Sequence, residues 1–435
     1  MSLLNTVRLQ PPRLRPVRIA GAALALAALP TLALMGCGSK TRADDSSAGT
    51  AATVQSASPQ CASAVALAFG QVAEHIYKEF AGGRVVGPAV RRLQSSPALI
   101  AAVQSGDPAA ARAALRPLIH GQLARVRVTA GGRTLAEYGS AEAVAPVTAP
   151  LRNAAGNTIG TLVASEQGAR GYVDTVGSFV EAYVLVRAGS QQLGGTTRQA
   201  PNTLPNSGEV SFGGRRYSVY SFTGSRFPTG SLRVYVLAPD PSASACGHTN
   251  AETVANTIGG AAVNIYRDEQ SGARARAVVG DFERSRSFQQ AVATGDTPAT
   301  EAAIVAFFRT RLHVVRVRAT LGGRLVADVG GPHVLAPTGG RVRDARGRVV
   351  GHFLLSVQDD LGYLILSHRF TGAQVLLRQG TRQIMGNLTP GPASVPDRGE
   401  VVYRGVHYQA YSFMAQAFPS GPLRISLLIP PIPGS

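Results

Sequence analysis

An internal duplication constrains the fold of this chain more than any other feature of its sequence. Shifting the 435-residue chain by 191 positions aligns residues 125–239 with residues 316–430 without a gap. At a shift of 189, Ile76-Tyr77 matches Ile265-Tyr266 further upstream. The longest matched runs include Arg125-Val126-Arg127 with Arg316-Val317-Arg318, Gly131-Gly132-Arg133 with Gly322-Gly323-Arg324, and Gly208-Glu209-Val210 with Gly399-Glu400-Val401. The sequence therefore predicts two copies of one domain.

Length and composition agree with two folded domains. At roughly 100 to 200 residues per domain, the chain is long enough for about two domains that each bury a core. An apolar content of 45% excludes a disordered polyelectrolyte. We predict four segments: a signal peptide over residues 1–36, a flexible tether rich in Ser, Ala and Thr over residues 37–59, repeat 1 over residues 60–245, and repeat 2 over residues 246–435.

The N-terminal segment has the order of an export signal. A basic region comes first and an uncharged apolar run over residues 19–36 follows it. The run ends in Leu34-Met35-Gly36-Cys37, which resembles the lipobox of bacterial lipoproteins. This resemblance implies cleavage before Cys37 and a lipid anchor on its thiol, which holds the protein on the extracytoplasmic face of the cell membrane. Two alternatives stay open: an uncleaved run of about 18 residues spans the membrane, or Cys37 is incidental. Both alternatives also place the remainder outside the cytoplasm.

Each repeat begins with a helical pattern and continues with a strand pattern. Apolar residues recur at intervals of three and four from Ala62 to Phe80, which predicts a long amphipathic helix. A second helix ends near Val103, and a third follows Pro108 and continues to about Ile119. The period then changes to two. The predicted elements are a hairpin over residues 123–138, a strand over 158–165, a short helix over 172–179, and strands over 182–188, 217–222 and 232–238.

This order of elements resembles the Cache family of extracytoplasmic, PAS-like sensor domains. The resemblance is clearest in residues 128–167 and 319–358, where Gly156-x-x-x-Gly160 and Gly347-x-x-x-Gly351 lead into a central strand. It implies an α+β fold of two tandem PAS/Cache-like domains, each with an N-terminal helical segment followed by a mainly antiparallel sheet. It also implies a small-molecule pocket on the concave face of the sheet. The sequence does not match the amino-acid-binding signature of some Cache receptors, so no ligand residue transfers.

Arginine and tyrosine residues that recur in both repeats are the candidate ligand contacts. Arg127 and Arg318 alternate with valines on a predicted strand, so one arginine of each repeat could face the concavity and bind an anionic ligand. The alternative is a solvated outer face. The candidate aromatic contacts are Tyr172, Tyr363, Tyr217 and Tyr408. For the strand tyrosines Tyr217 and Tyr408, the alternative is core packing.

The cysteine content predicts one disulfide bond. If Cys37 is acylated, only Cys61 and Cys246 remain, at the start of repeat 1 and at the junction with repeat 2. Two thiols in an oxidising compartment are expected to pair. The alternative is two free or separately buried thiols.

The motifs of common catalytic sites are absent from the sequence. It contains no Gly-x-Ser-x-Gly, His-Glu-x-x-His, Cys-x-x-Cys or Walker A motif. His333 and three other histidines have no histidine at the matching position of the other repeat, which excludes a metal site or triad formed identically in both halves. Asp359 and Asp360 face Gly168 and Ala169 in the alignment and are predicted to be solvated loop acids. We therefore predict neither enzyme activity nor a cofactor or metal.

The charge of the chain does not indicate a nucleic-acid partner. A formal net charge of +18 is spread over the chain and mixed with acids, and export separates the protein from nucleic acid. The predicted function is a non-catalytic, lipid-anchored sensing module of the bacterial envelope that binds a small molecule. A relay of ligand occupancy to a membrane signalling or transport partner is compatible with this function. The alternative is a structural or protein-interaction lipoprotein of the envelope that binds no small ligand.

Overall fold

The structure is a computed structural model, and it describes residues 58–82, 86–119, 123–242, 245–310 and 313–432. The predicted signal peptide, Cys37 and nearly all of the predicted tether lie outside the described residues. In the described ranges, no helix is both long and apolar enough to cross a membrane.

In repeat 1, four helices precede the strands where the sequence predicts three, and the predicted strands and short helix follow in the expected order. The first four helices are α1 (Pro59–Ala81), α2 (Val86–Gln94), α3 (Pro97–Ser105) and α4 (Pro108–Leu115). The elements after them are β1 (Arg125–Ala130), β2 (Arg133–Gly139), β3 (Ala143–Val144), β4 (Val147–Arg152), β5 (Thr158–Ser165), β6 (Gln167–Gly168), α5 (Ala169–Phe179), β7 (Tyr183–Ala188), β8 (Gln191–Gly195), β9 (Ser207–Phe212), β10 (Arg215–Ser225) and β11 (Ser231–Pro239).

Repeat 2 has the same order of elements. Its first four helices are α6 (Asn250–Ser271), α7 (Ala273–Arg284), α8 (Arg286–Thr294) and α9 (Thr297–Thr310). The elements after them are β12 (Arg316–Leu321), β13 (Arg324–Gly330), β14 (Val334–Leu335), β15 (Thr338–Arg343), β16 (Val349–Ser356), β17 (Gln358–Asp359), α10 (Asp360–Thr371), β18 (Gln374–Gln379), β19 (Arg382–Gly386), β20 (Arg398–Tyr403), β21 (Val406–Phe418) and β22 (Gly421–Ile429).

Local signals in the sequence set the helix ends. The Ser58 side chain accepts a hydrogen bond from the Cys61 N–H and caps α1, whose first residue is a proline. α3 ends at Gly106, which has a φ of 65°, and α8 ends at Gly295, with a φ of 70°. Only glycine takes this left-handed conformation at no steric cost, so the same break recurs in both repeats. α4 ends at Leu115, four residues before the predicted end, because Pro117 has no N–H with which to continue the helical hydrogen bonds.

The sheets of both repeats are antiparallel, which confirms the predicted α+β class. Each repeat divides its strands between two sheets. In repeat 1, the first sheet has the order β2-β1-β5-β4 and the second has the order β8-β7-β11-β10-β9, while β3 pairs with β6. In repeat 2, the first sheet has the order β13-β12-β16-β15. Its second sheet follows the order β19-β18-β22-β21-β20, and β14 and β17 extend it beyond β21.

The three largest hydrophobic clusters of the described residues hold these layers together. Helices α2–α4 pack on one face of the first sheet of repeat 1, and α7–α9 pack in the same way in repeat 2. The largest core belongs to both repeats, because α1, α5, α6 and α10 fill the space between the two second sheets. Across this interface, the Phe179 and Phe370 rings lie 5.6 Å apart and Glu79 Oε1 lies 2.9 Å from Arg369 Nη1. The repeats therefore form one folded body.

Two tyrosine rings lie directly on the long helices. The Tyr220 ring covers Gly70 of α1, where an added Cβ atom would lie 2.0 Å from the ring. The Tyr411 ring covers Gly259 of α6 in the same way, at 2.1 Å. Any larger residue would displace the ring, so glycine at both positions permits the sheet to approach the helix.

The predicted disulfide bond joins Cys61 and Cys246, whose Cα atoms lie 5.7 Å apart. Cys61 lies in the first turn of α1, and Cys246 lies four residues before α6 begins. The bond therefore ties together the amino ends of the two long helices.

Candidate functional site

Repeat 2 contains a cavity of about 300 Å³ that combines charged and apolar walls. We call it the Asp360 cavity. The start of α10, the β18–β19 hairpin and the turn between β21 and β22 surround it. Its main lining residues are Arg316, His333, Val334, Asp360, Gln379, Arg382, Ile384 and Ala417.

Asp360 is the most unusual residue of this cavity. It is the first residue of α10 and only 2% of it is exposed. Its Oδ1 atom is buried and has no hydrogen-bond partner, while its backbone N–H donates to the His333 carbonyl oxygen. Burial raises the pKa of Asp360, although the nearby His333 opposes this effect. The prediction that Asp360 is a solvated loop acid is therefore wrong, because the residue begins a helix whose first turn is covered by the β14 segment.

The other acids and bases around the cavity differ in how much of their charge is neutralised. Arg316 Nε and Nη2 donate to the two Asp328 carboxylate oxygens at 2.7 and 2.9 Å, and Nη1 donates to the Gly331 carbonyl oxygen. This ion pair cancels the charge of Arg316. Arg382 is exposed at the rim and forms no ion pair with a described residue. The cavity thus offers a buried carboxylate inside and a free guanidinium at its mouth.

The matching region of repeat 1 lacks this chemistry. Ala169 occupies the position of Asp360, and Gln191 occupies the position of Arg382. The combination of a carboxylate and a guanidinium at these two positions is therefore found in repeat 2 and not in repeat 1.

The predicted arginines lie on the face of the first sheets that points away from the helices. Arg127 Nε donates to Glu137 Oε2 at 2.8 Å, and Arg125 binds the same carboxylate. Burial would raise the pKa of Glu137, but the hydrogen bonds from the two arginines outweigh it and lower that pKa. Arg127 therefore shares one acid with Arg125 on the outer face of the first sheet of repeat 1.

Arg318 lies in an open groove on the outer face of the first sheet of repeat 2. Its Nε atom is 3.6 Å from Asp328 Oδ2, a looser contact than Arg127 makes. The groove has a volume of about 770 Å³ and is also lined by Arg341, Arg343 and His352. The structure thus brings Arg318 to a basic surface but does not bring it into the Asp360 cavity.

The predicted tyrosines pack in the cores. Tyr172 and Tyr363 are fully buried, and their hydroxyls donate to the Ala73 and Ala262 carbonyl oxygens of the long helices. Tyr217 stacks on Phe212 with ring centroids 4.4 Å apart. Tyr408 is 9% exposed and packs in the corresponding cluster of repeat 2. None of these four tyrosines lines the Asp360 cavity or the groove beside Arg318.

Within the part of the chain that the structure describes, no group of three or more His, Cys, Asp and Glu side chains could hold a metal ion.

Comparison with known proteins gives weak structural similarities, including the two described below. No family model matches the chain, and no curated protein sequence matches it. The periplasmic domain of LuxQ from Vibrio cholerae is 11% identical, with a TM-score of 0.26 over 42% of this chain and 97% of that domain. An extracellular ligand binding receptor from Desulfohalobium retbaense is 10% identical, with a TM-score of 0.26 over 51% of this chain and 47% of the receptor. Similarities at this level carry no argument about function.

Proposed function

We propose that this chain is an extracytoplasmic, lipid-anchored protein that binds a small molecule in the Asp360 cavity of repeat 2. The observation that carries the proposal is the buried Asp360 carboxylate with an unpartnered oxygen beside an open volume. Leaving a buried polar atom unpaired costs about 1 to 3 kcal/mol, and more if the group is charged. A ligand that donates to Asp360 Oδ1 removes this cost, so binding is favoured.

The charges of the cavity define the ligand class. A group that donates to a buried carboxylate is best supplied by an ammonium or a similar cation. Arg382 at the rim suits an anionic group on the other end of the same molecule. A volume of about 300 Å³ is at the lower end of the range for ligand pockets, which favours a small molecule. The proposed ligand is therefore a small amine, and a zwitterion uses both charges. This replaces the purely anionic ligand that the arginine pattern predicts.

The protein acts in this proposal as a binding module and not as an enzyme. The cavity is lined by one carboxylate, one exposed imidazole and the Ser420 hydroxyl, and the sequence around Ser420 matches none of the catalytic motifs named above. The proposed role is to report ligand occupancy to a signalling or transport partner in the membrane. The anchor at Cys37 would keep the module close to such a partner.

Replacing Asp360 by Asn should weaken ligand binding strongly. We expect at least one member of a panel of small amines, amino acids and polyamines to raise the melting temperature of the wild-type protein. A ligand at 100 times its Kd adds about 2.7 kcal/mol to the free energy of unfolding. In D360N, loss of the charge should weaken binding by about tenfold or more, measured by calorimetric titration.

Asp359→Asn is the matched control for this experiment. It removes one negative charge from the adjacent residue, and Asn caps a helix about as well as Asp does. D359N should bind as the wild type does. If no compound stabilises the wild-type protein, or if D360N binds equally well, the cavity is not the ligand site. A complete absence of ligands would favour the alternative of a structural envelope lipoprotein.

Removing the proposed lipid anchor should change how the protein partitions between a detergent phase and an aqueous phase. Wild-type protein expressed in a bacterial host should enter the detergent phase of a Triton X-114 separation, and Cys37→Ala should move to the aqueous phase or keep its uncleaved signal. Mass spectrometry of the N-terminus checks the acylation directly. A C37A protein that is cleaved and partitions as the wild type does would contradict the proposal.

A further inference from the structure

Two arginines lie directly opposite each other on neighbouring strands of the second sheet of repeat 1. Arg187 of β7 pairs with Arg233 of β11 in the strand register. Like charges at directly opposite positions destabilise a sheet. Repeat 2 keeps the same arrangement with Arg378 and Arg424. Since both repeats retain a destabilising pair, the pair needs an explanation beyond packing.

The hydrogen bonds of the repeat 1 pair leave its positive charge uncompensated. Arg187 is only 4% exposed, and its Nη1 donates to the Asn202 carbonyl oxygen at 2.7 Å, while its buried Nε has no partner. Arg233 is half-buried and donates to the Ser221 and Thr223 hydroxyl oxygens at 3.1 and 3.4 Å. Neither guanidinium forms an ion pair with any residue in the described ranges. Two adjacent cations therefore face only neutral acceptors.

Repeat 2 neutralises the same pair with an acid of its own. Asp397 Oδ1 lies 2.7 Å from Arg424 Nη2. Asn206 occupies the matching position of repeat 1, and Thr223 is replaced by Met414 in repeat 2. Repeat 2 thus pairs one arginine of the arrangement, Arg424, with an acid, whereas repeat 1 has no acid at the matching position. The buried Nε atoms of Arg378 and Arg424 lack partners, as that of Arg187 does.

We propose that the Arg187–Arg233 pair of repeat 1 binds an oxyanion of the phosphate or sulfate type. Guanidinium groups present fixed forks of N–H donors that match such oxygens. The half-buried Arg233 supplies the N–H donors that Ser221 and Thr223 leave unused, and the buried Arg187 beside it adds positive charge. The Thr223 hydroxyl accepts from Arg233 and keeps its own proton to donate. The carboxylate of Asp397 performs the same neutralisation in repeat 2. This site is separate from the Asp360 cavity and does not depend on it.

Inorganic phosphate is the probe for this site. Calorimetric titration of the full chain with phosphate, at constant ionic strength in chloride buffer, should show binding with one site per chain. Arg233→Gln and Asn206→Asp should each weaken binding by about tenfold or more, the second because it installs the acid that repeat 2 carries. Asn206 is exposed, so N206D should fold normally, and a thermal melt verifies this. Arg424→Gln, the same change in repeat 2, should leave phosphate binding unaltered.

Vesicles distinguish the source of the oxyanion. The same titration is repeated with vesicles that contain phosphatidic acid. If a lipid headgroup enters the site, R233Q should reduce vesicle binding more than R424Q does. The inference is overturned if wild-type protein does not bind phosphate above chloride, or if R233Q and N206D bind it as tightly as the wild type.

Discussion

Replacing Cys61 and Cys246 together by alanine should lower the free energy of unfolding by about 5 kcal/mol. The disulfide closes a loop with a sequence separation of 185 residues, so reduction gives the unfolded chain much conformational freedom. In the folded protein, the bond joins the amino ends of α1 and α6, which pack together in the shared core. Urea denaturation of the oxidised wild type and of C61A/C246A measures the difference.

Reduced wild-type protein is the matched control, because its sequence is unchanged. It should unfold at nearly the same urea concentration as C61A/C246A, and both should unfold well below the oxidised protein. Equal unfolding midpoints for oxidised and reduced protein would show that the bond contributes nothing to stability. Loss of cooperativity in the reduced protein would show instead that the bond couples the two repeats.

The duplication predicts much of the fold because it repeats local signals. Gly106 and Gly295 end equivalent helices, and the predicted strands agree with β1, β2, β5, β7, β10 and β11. The strands that the sequence does not predict in repeat 1 include β4, β8 and β9, which lie at the edges of their sheets. Edge strands tolerate proline and glycine, as Pro150 in β4 and Gly194 in β8 illustrate, so their alternating pattern is weak.

The Asp360 cavity could not be predicted from the sequence for a different reason. Asp360 is next to an exposed acid, and two adjacent acids usually indicate a solvated turn. Its burial depends on β14 and on the turn after β21, which are far away in the chain. The one signal in the sequence is that Asp360 aligns with Ala169 of repeat 1, so the two repeats differ at this position. The core shared by the two repeats could not be predicted from the sequence either, because an apolar helix face does not show which sheet or helix covers it.

Glu166 of repeat 1 makes the stability of this protein depend on pH. It lies between β5 and β6, and its Oε2 atom is buried without a partner. Burial, assisted by the nearby Glu79 carboxylate, raises the pKa of Glu166 from 4.5 to about 7. Glu79 itself is paired with Arg369 of repeat 2, so Arg369 does not neutralise Glu166 directly. Val357 occupies the equivalent position of repeat 2 and is 2% exposed.

The direction of the pH effect follows from the raised pKa. Between pH 4.5 and about 7, the folded state binds more protons at Glu166 than the unfolded state does, so stability falls as pH rises through this range. The stability contributed by protonated Glu166 is fully present below pH 4.5 and is lost above about pH 7. This difference in pKa corresponds to about 3 kcal/mol. Glu166→Gln cannot ionise, so it should be more stable than the wild type by about 2 to 3 kcal/mol at pH 8 and nearly equal to it at pH 4.5.

Glu181→Gln is the control for Glu166→Gln, because Glu181 is an exposed acid of the same repeat and a solvated side chain meets similar surroundings in the folded and unfolded states. Urea denaturation of the wild type and both variants at pH 4.5, 6 and 8 makes the comparison. The difference in free energy of unfolding between E166Q and the wild type should increase as pH rises. The difference between E181Q and the wild type should stay constant. Other carboxylates contribute to the pH dependence of every variant equally, so the difference between E166Q and wild type isolates this residue. A constant difference across the three pH values would mean that Glu166 ionises in the folded protein as it does in water, with its carboxylate hydrated by a local opening next to Glu79.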